Sequence, residues 1–177
     1  MITDRQIIFN QKDIPAKQWR YGFRASAATG CGWIAAYNAL RLMGYYIQPE
    51  KLIRSYERHL PLLNGPFGTF ILEPFFFFKK RGFKVRLSAK QRDFDELAKS
   101  ADACIMFYYW RRRFKMGAHF VSLQYKDGAF VGYNTFSNSE AADNYGISLE
   151  SFLKKQRYFF PVLMAIKDKR RKQNGIS

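Results

Sequence analysis

Two cysteines and two histidines occur among the 177 residues, so there are few ways to build a reactive site. Cys31 lies in Thr29-Gly30-Cys31-Gly32-Trp33, where flanking glycines allow a sharp turn and close approach of a substrate. It also opens the clearest helical pattern in the chain. Unpaired amides and the dipole at a helix start favour the thiolate, the form that acts as nucleophile. The alternative is a buried cysteine that serves as a small apolar side chain. A thiol nucleophile needs a proton acceptor. His59, between Arg58 and Leu60-Pro61, falls at an expected helix end and reads as a solvated or capping residue. His119 follows Met116-Gly117-Ala118 and starts an expected strand; alone, it is better explained as a structural side chain.

The turn after that strand changes the weight of His119. Lys126-Asp127-Gly128 separates two strand patterns, and Asp-Gly is a strong hairpin signal. If Asp127 and Gly128 form a two-residue turn, Lys126 faces Ala129 and Val121 faces Asn134. His119 and Asn134 then project from one face at diagonal positions, and Asn134 can orient the imidazole as the third member of a triad. A three-residue turn would put them on opposite faces. Asn134 also reads as a strand-end residue bonding its own backbone.

Helices must hold the first of these residues and a sheet the others. Residues 31–43 place Trp33, Ile34, Tyr37, Leu40 and Met43 at helical spacing, with Gly44 as the stop. Further helices are expected at 49–58, from 69 or 73 to 81 with Pro74 in the first turn, at 93–99, and after Ser148. Strands are expected at 83–87, 103–110, 119–125, 129–135 and 159–166. Helices first and an antiparallel sheet afterwards make an α+β arrangement. One domain over 1–166 is the simplest reading, with a basic, flexible tail over 167–177.

A cysteine on a helix, then His119, then Asn134 on a following hairpin is the order found in papain-like cysteine peptidases. The segment Thr29-Gly30-Cys31-Gly32-Trp33-Ile34-Ala35-Ala36 resembles the nucleophile segment of that superfamily. In size and order the chain most resembles the leader-peptide (bacteriocin-processing, double-glycine) peptidases and their bacterial relatives. Gly117-Ala118-His119-Phe120-Val121 resembles their histidine strand, and Asp127-Gly128 through Tyr133-Asn134 the hairpin returning the third residue. Gly68-Thr69, then Lys80-Arg81-Gly82-Phe83-Lys84-Val85, resembles their middle segment; the similarity spans about residues 25–166.

The resemblance implies a papain-like fold, N-terminal helices packed on a C-terminal antiparallel sheet, with a cleft between them. It implies Cys31, His119 and Asn134 as a catalytic triad for peptide or amide hydrolysis, or for acyl transfer through the same thioester. Gly30, Gly32, Trp33, Gly117 and Ala118 would line the substrate cleft. The chain departs from the family at Ala25, where the oxyanion-hole glutamine usually stands. Ser26, Gln18 or the Cys31 backbone amide are the substitutes. A catalytically weak or inactive peptide-binding relative is the alternative that this departure motivates. The family usually carries Asp where Asn134 stands, although papain-type enzymes use Asn.

Composition bounds the remaining classes. Apolar residues at 47% and aromatics at 18% exclude a disordered chain, and two cysteines exclude a small disulfide scaffold. Neither cysteine sits at metal-ligand spacing, so no metal site is expected, and the chemistry calls for no cofactor. The longest apolar run, Phe75 to Phe78, is far short of the roughly 20 residues that span a bilayer; it reads as core. With no secretory pattern at the start, the expectation is a cytoplasmic protein.

The net charge of +16 suggests nucleic acid, a membrane surface or an acidic substrate. It is spread over both halves: 14 basic and 5 acidic residues before residue 89, and 16 and 9 after it. Aromatics beside basic residues, as in Tyr108-Tyr109-Trp110-Arg111, would also suit stacking on single-stranded nucleic acid, which keeps a basic nucleic-acid-binding domain as an alternative. Arg111-Arg112-Arg113 with Lys115 reads as a solvated loop. Beside a working triad it would rim the cleft and favour an acidic peptide or protein substrate.

Overall fold

The computed structural model describes residues 6–58, 69–112 and 115–172; His59, Gly68 and Arg113 lie outside them. The first part contains a short strand pair, β1 (Arg20–Tyr21) and β2 (Arg24–Ala25), then helices α1 (Ser26–Thr29), α2 (Cys31–Leu42), α3 (Pro49–Glu57) and α4 (Glu73–Lys80). Next come β3 (Lys84–Ser88), α5 (Phe94–Lys99), β4 (Ala103–Arg112), β5 (Lys115–Lys126), β6 (Ala129–Tyr133), β7 (Asp143–Gly146), α6 (Leu149–Gln156) and β8 (Phe159–Lys167). Six strands form one sheet in the order β3-β8-β4-β5-β6-β7, and all of its pairings are antiparallel. The α+β arrangement read from the sequence is the one observed.

Helix α2 is the axis of the first layer. Every residue from Gly32 to Leu40 is buried, so the helix is apolar all round, as a central helix must be. Ala35, Ala36 and Ala39 keep it slim where it meets Ile105, Phe107, Phe120 and Met164 of the sheet. Its one buried amide, Asn38, is satisfied at both ends: Oδ1 accepts from Ile8 N at 2.9 Å and Nδ2 donates to Ile8 O at 2.8 Å. Helices α3 and α4 complete this layer through Leu52, Tyr56, Phe77 and Phe78. Of the phenylalanine run, Phe76 alone turns largely outward, at 53% exposed.

The opposite face of the sheet carries a second layer. There α5 and α6 supply Phe94, Leu97, Leu149, Phe152 and Leu153 against Met106, Tyr108, Val121 and Leu123. Alternation along β4 and β5 divides the two cores, because successive strand residues point to opposite faces.

The β5–β6 turn has the expected length. Lys126 pairs with Ala129, and Asp127 and Gly128 adopt φ +51° and +83°, the left-handed pair that favours Asp-Gly in a two-residue hairpin.

Two expectations change. Arg111 and Arg112 are strand rather than loop: Arg111 pairs with Met116 and Arg112 with Lys115, because the β4–β5 ladder extends that far. The boundary at residue 166 falls inside β8, whose last residue, Lys167, pairs with Lys84. Beyond it Asp168 is buried, and its amide donates to Asp102 Oδ2 at 2.7 Å. Arg170 packs over the rings of Tyr45 and Phe83, at 4.7 and 5.1 Å from the centroids.

Candidate active site

Cys31 is the first residue of α2, and its N-cap, Gly30, offers no side-chain hydrogen bond to the helix. The first-turn amides are therefore left for another acceptor. Both glycines are required sterically. A Cβ on Gly30 would lie 2.6 Å from Ser26 O and from Trp33 Nε1, and one on Gly32 would lie 2.1 Å from Thr69 Oγ1. Thr69 is thus pressed against the Gly30-Cys31-Gly32 segment from the described end of the Gly68-Thr69 motif.

The sulfur meets β5 at the residue beside His119. Main-chain hydrogen bonding from Phe120, Gly32 and Cys31 itself favours the thiolate, but burial outweighs it and pushes the Cys31 thiol up. Cys31 nonetheless keeps part of its surface open, whereas Cys104 is fully buried and pushed up to about 12. Both cysteines are free thiols.

His119 is fixed from its far side. Its Nε2 lies 2.6 Å from the main-chain oxygen of Asn134. A carbonyl can only accept, so Nε2 carries the proton. In the neutral ring Nδ1 is then left with its lone pair. Burial holds the His119 pKa below its ordinary value, against the opposing effect of the Asn134 carbonyl, so the ring is neutral at pH 7. Tyr108, the cross-strand partner of His119, meets its ring edge-on at 6.0 Å between centroids.

Asn134 reaches His119, but not through its side chain. Strand β6 ends at Tyr133 and Asn134 turns to φ +60°, which aims its carbonyl at the imidazole. Its side chain goes to Gln11: Oδ1 accepts from Gln11 N at 2.8 Å and Nδ2 donates to Gln11 Oε1 at 3.3 Å. Gln11 Nε2 in turn donates to Ala27 O at 3.1 Å. Gln11 therefore ties the histidine hairpin to α1, just before Cys31. No spacing rule finds that residue, since it lies 123 positions from Asn134.

The other expected site residues divide. Trp33, expected in the cleft, is fully buried and packs edge-on against Trp19 at 5.7 Å. Its large ring is drawn into the core, so it backs the start of α2. Ser26 is also fully buried, and its hydroxyl accepts from Trp33 Nε1 at 3.2 Å. Gln18 is half-buried, with its main-chain N–H donating to Pro15 O at 2.9 Å. Gly117 lies beneath the Trp110 ring, which a Cβ there would meet at 2.6 Å. Ala118 is exposed and shares the Phe120 side of β5. Among the described residues no three His, Cys, Asp or Glu side chains are grouped to hold a metal ion, and no helix is long and apolar enough to cross a membrane.

No family model matches the sequence, and no curated protein matches it significantly. Among solved structures, the chain is similar to the peptidase domain of Streptococcus ComA, described as a bi-functional ABC transporter involved in a quorum sensing pathway. The TM-score is 0.49 at 14% identity, covering 76% of this chain and 90% of that one.

Proposed function

We propose that the chain is a papain-like cysteine peptidase, hydrolysing a peptide or related amide bond. The observation that carries this reading is the His119 tautomer. With Nε2–H committed to the Asn134 carbonyl, Nδ1 is the free base, on the strand residue next to the one whose amide meets the Cys31 sulfur.

In this reading Cys31 Sγ attacks the substrate carbonyl carbon while His119 Nδ1 takes the thiol proton. The tetrahedral intermediate collapses as Nδ1–H protonates the leaving nitrogen, releasing the amine and leaving a thioester. Water then attacks the thioester, giving its proton to Nδ1, and the second collapse releases the acid and restores the thiol. An amine in place of water would give acyl transfer by the same steps. The Cys31 amide at the helix start serves the oxyanion. Ala25 brings no side-chain donor to join it, and loss of one such donor typically costs about a hundredfold or more in rate. That absence favours a second reading, a peptide-binding protein with little turnover.

Labelling with a thiol-directed electrophilic peptide probe, read by mass spectrometry, tests the assignment. The expected result is one adduct on Cys31, absent in Cys31→Ala; equal labelling of the two proteins would sink it. Release of product from fluorogenic peptides then separates a peptidase from a binding protein.

A further inference from the structure

In front of Cys31 the sheet runs on past the helices. Phe120, Ala118 and Met116 share one side of β5, and across the ladder they face Phe107, Tyr109 and Arg111 of β4. The α2 layer covers Phe107 and Phe120 but not the continuation, where Tyr109 is 37% and Met116 69% exposed. At the end of this strip lies a groove of about 580 Å³ lined by Arg111, Met116, Arg157 and Phe159. Phe159 stacks on Tyr109 with centroids 5.8 Å apart. Its neighbour Phe160 sits at a bulge, 77% exposed and at φ +48°, a conformation that a residue with a Cβ avoids. Neither Arg111 nor Arg157 forms an ion pair among the described residues.

We propose that this groove is a specificity site for an acidic residue next to a bulky apolar one in a peptide substrate. It deepens the peptidase reading and rests on it for the position of the scissile bond. Unpaired guanidinium groups over an apolar floor match a carboxylate with an apolar neighbour, and Arg presents fixed donors to a carboxylate. Phe120 and Met116 are four positions apart, about 14 Å at the rise of an antiparallel strand. An extended peptide therefore carries its acidic residue about four positions from the bond held at Cys31. Nucleic acid fits less well: Phe159 is the one ring lining the groove itself, and one of its faces is already stacked on Tyr109.

The test uses the full chain carrying Cys31→Ala, so that binding is read without turnover. The probes are short fluorescein-labelled peptides with a Glu-Phe pair stepped along an alanine-rich background, matched Gln-Phe peptides, and a single-stranded oligonucleotide. Glu-Phe is expected to bind about tenfold tighter than Gln-Phe, the worth of one good charge-assisted contact. The preference should disappear in Arg111→Gln/Arg157→Gln, both exposed side chains. Equal binding of the two peptides, or a preference that survives the double substitution, overturns the proposal. So does an oligonucleotide that binds tighter than every peptide and depends on the same arginines. Because these readouts do not need the thiol, an acidic preference without Cys31 labelling would leave the groove standing while the nucleophile assignment fell.

Discussion

Replacing Asn134 by Gly and by Ala separates its two roles. Its carbonyl accepts from His119 and its side chain holds Gln11. Both substitutions keep the carbonyl. Both also remove two hydrogen bonds, worth about 0.5–1.5 kcal/mol each, so the contacts alone cost about 1–3 kcal/mol. The backbone then divides the pair. At φ +60° a side chain is penalised by about 1–2 kcal/mol, and glycine is not. Asn134→Gly should therefore unfold in urea at a modestly lower midpoint, and Asn134→Ala at a lower one still. The labelling rate of Cys31, measured where both variants are folded, should fall less than about tenfold in Asn134→Gly, because a hydrogen bond from Nε2 to a carbonyl still fixes the tautomer. If the side chain were the orienting group, its loss would cost on the order of ten-thousandfold. A collapse of that size in a folded Asn134→Gly protein would refute the carbonyl assignment.

Gly32→Ala should destabilise the fold, although alanine is the better helix former by about 1 kcal/mol. The new methyl would meet Thr69 Oγ1, Cβ and Cγ2 at 2.1, 2.4 and 2.7 Å, and overpacking typically costs about 1–3 kcal/mol. Thr69→Ala retains the Cβ and should not rescue it, whereas Thr69→Gly should; an unfolding midpoint for Gly32→Ala at or above wild type would contradict this packing. The pH dependence has two limbs. Burial lowers the His119 pKa from 6.5 and raises that of Cys31 from 9.0, so the uncharged pair persists across neutral pH. The acid limb of the labelling rate should have its midpoint below 6.5, and a midpoint above that value would show that the ring is not held neutral. Stability follows the same signs. The unfolded chain binds a proton that folded His119 resists, so stability falls as the pH drops through 6.5. Folded Cys31 and Cys104 hold protons that the unfolded chain releases, so stability also falls as the pH rises through 9.0.

What was legible in the sequence was local. The helix from Cys31, the prolines opening α3 and α4, the Asp127-Gly128 turn and the Ser148 cap, whose hydroxyl accepts from Ser151 N, all depend on neighbours a few positions apart. The same turn set the register that brings Asn134 next to His119. It could not say which atom of Asn134 makes the contact. That depends on a left-handed backbone after Tyr133 and on Gln11 arriving from the start of the chain. Strand β7 was invisible because Asp143-Asn144-Tyr145-Gly146 has the composition of a turn; its place is set by pairing with β6 and by Tyr145 stacked on Phe152 at 3.8 Å. Residues 167–170 read as a tail because their charge is local information, while the Tyr45 and Phe83 rings and Asp102 that receive them are distant in sequence.

The proposed proton transfer from Cys31 to His119 is tested most directly by the rate of Cys31 labelling in wild type and His119→Ala at neutral pH, with both proteins shown to be folded. General-base assistance of this kind contributes roughly a hundredfold or more. The account predicts a loss of about that size in His119→Ala, with the adduct mapped to Cys31 and Cys104 untouched behind its complete burial. Equal rates in the two proteins, or an adduct on Cys104 instead of Cys31, would contradict it.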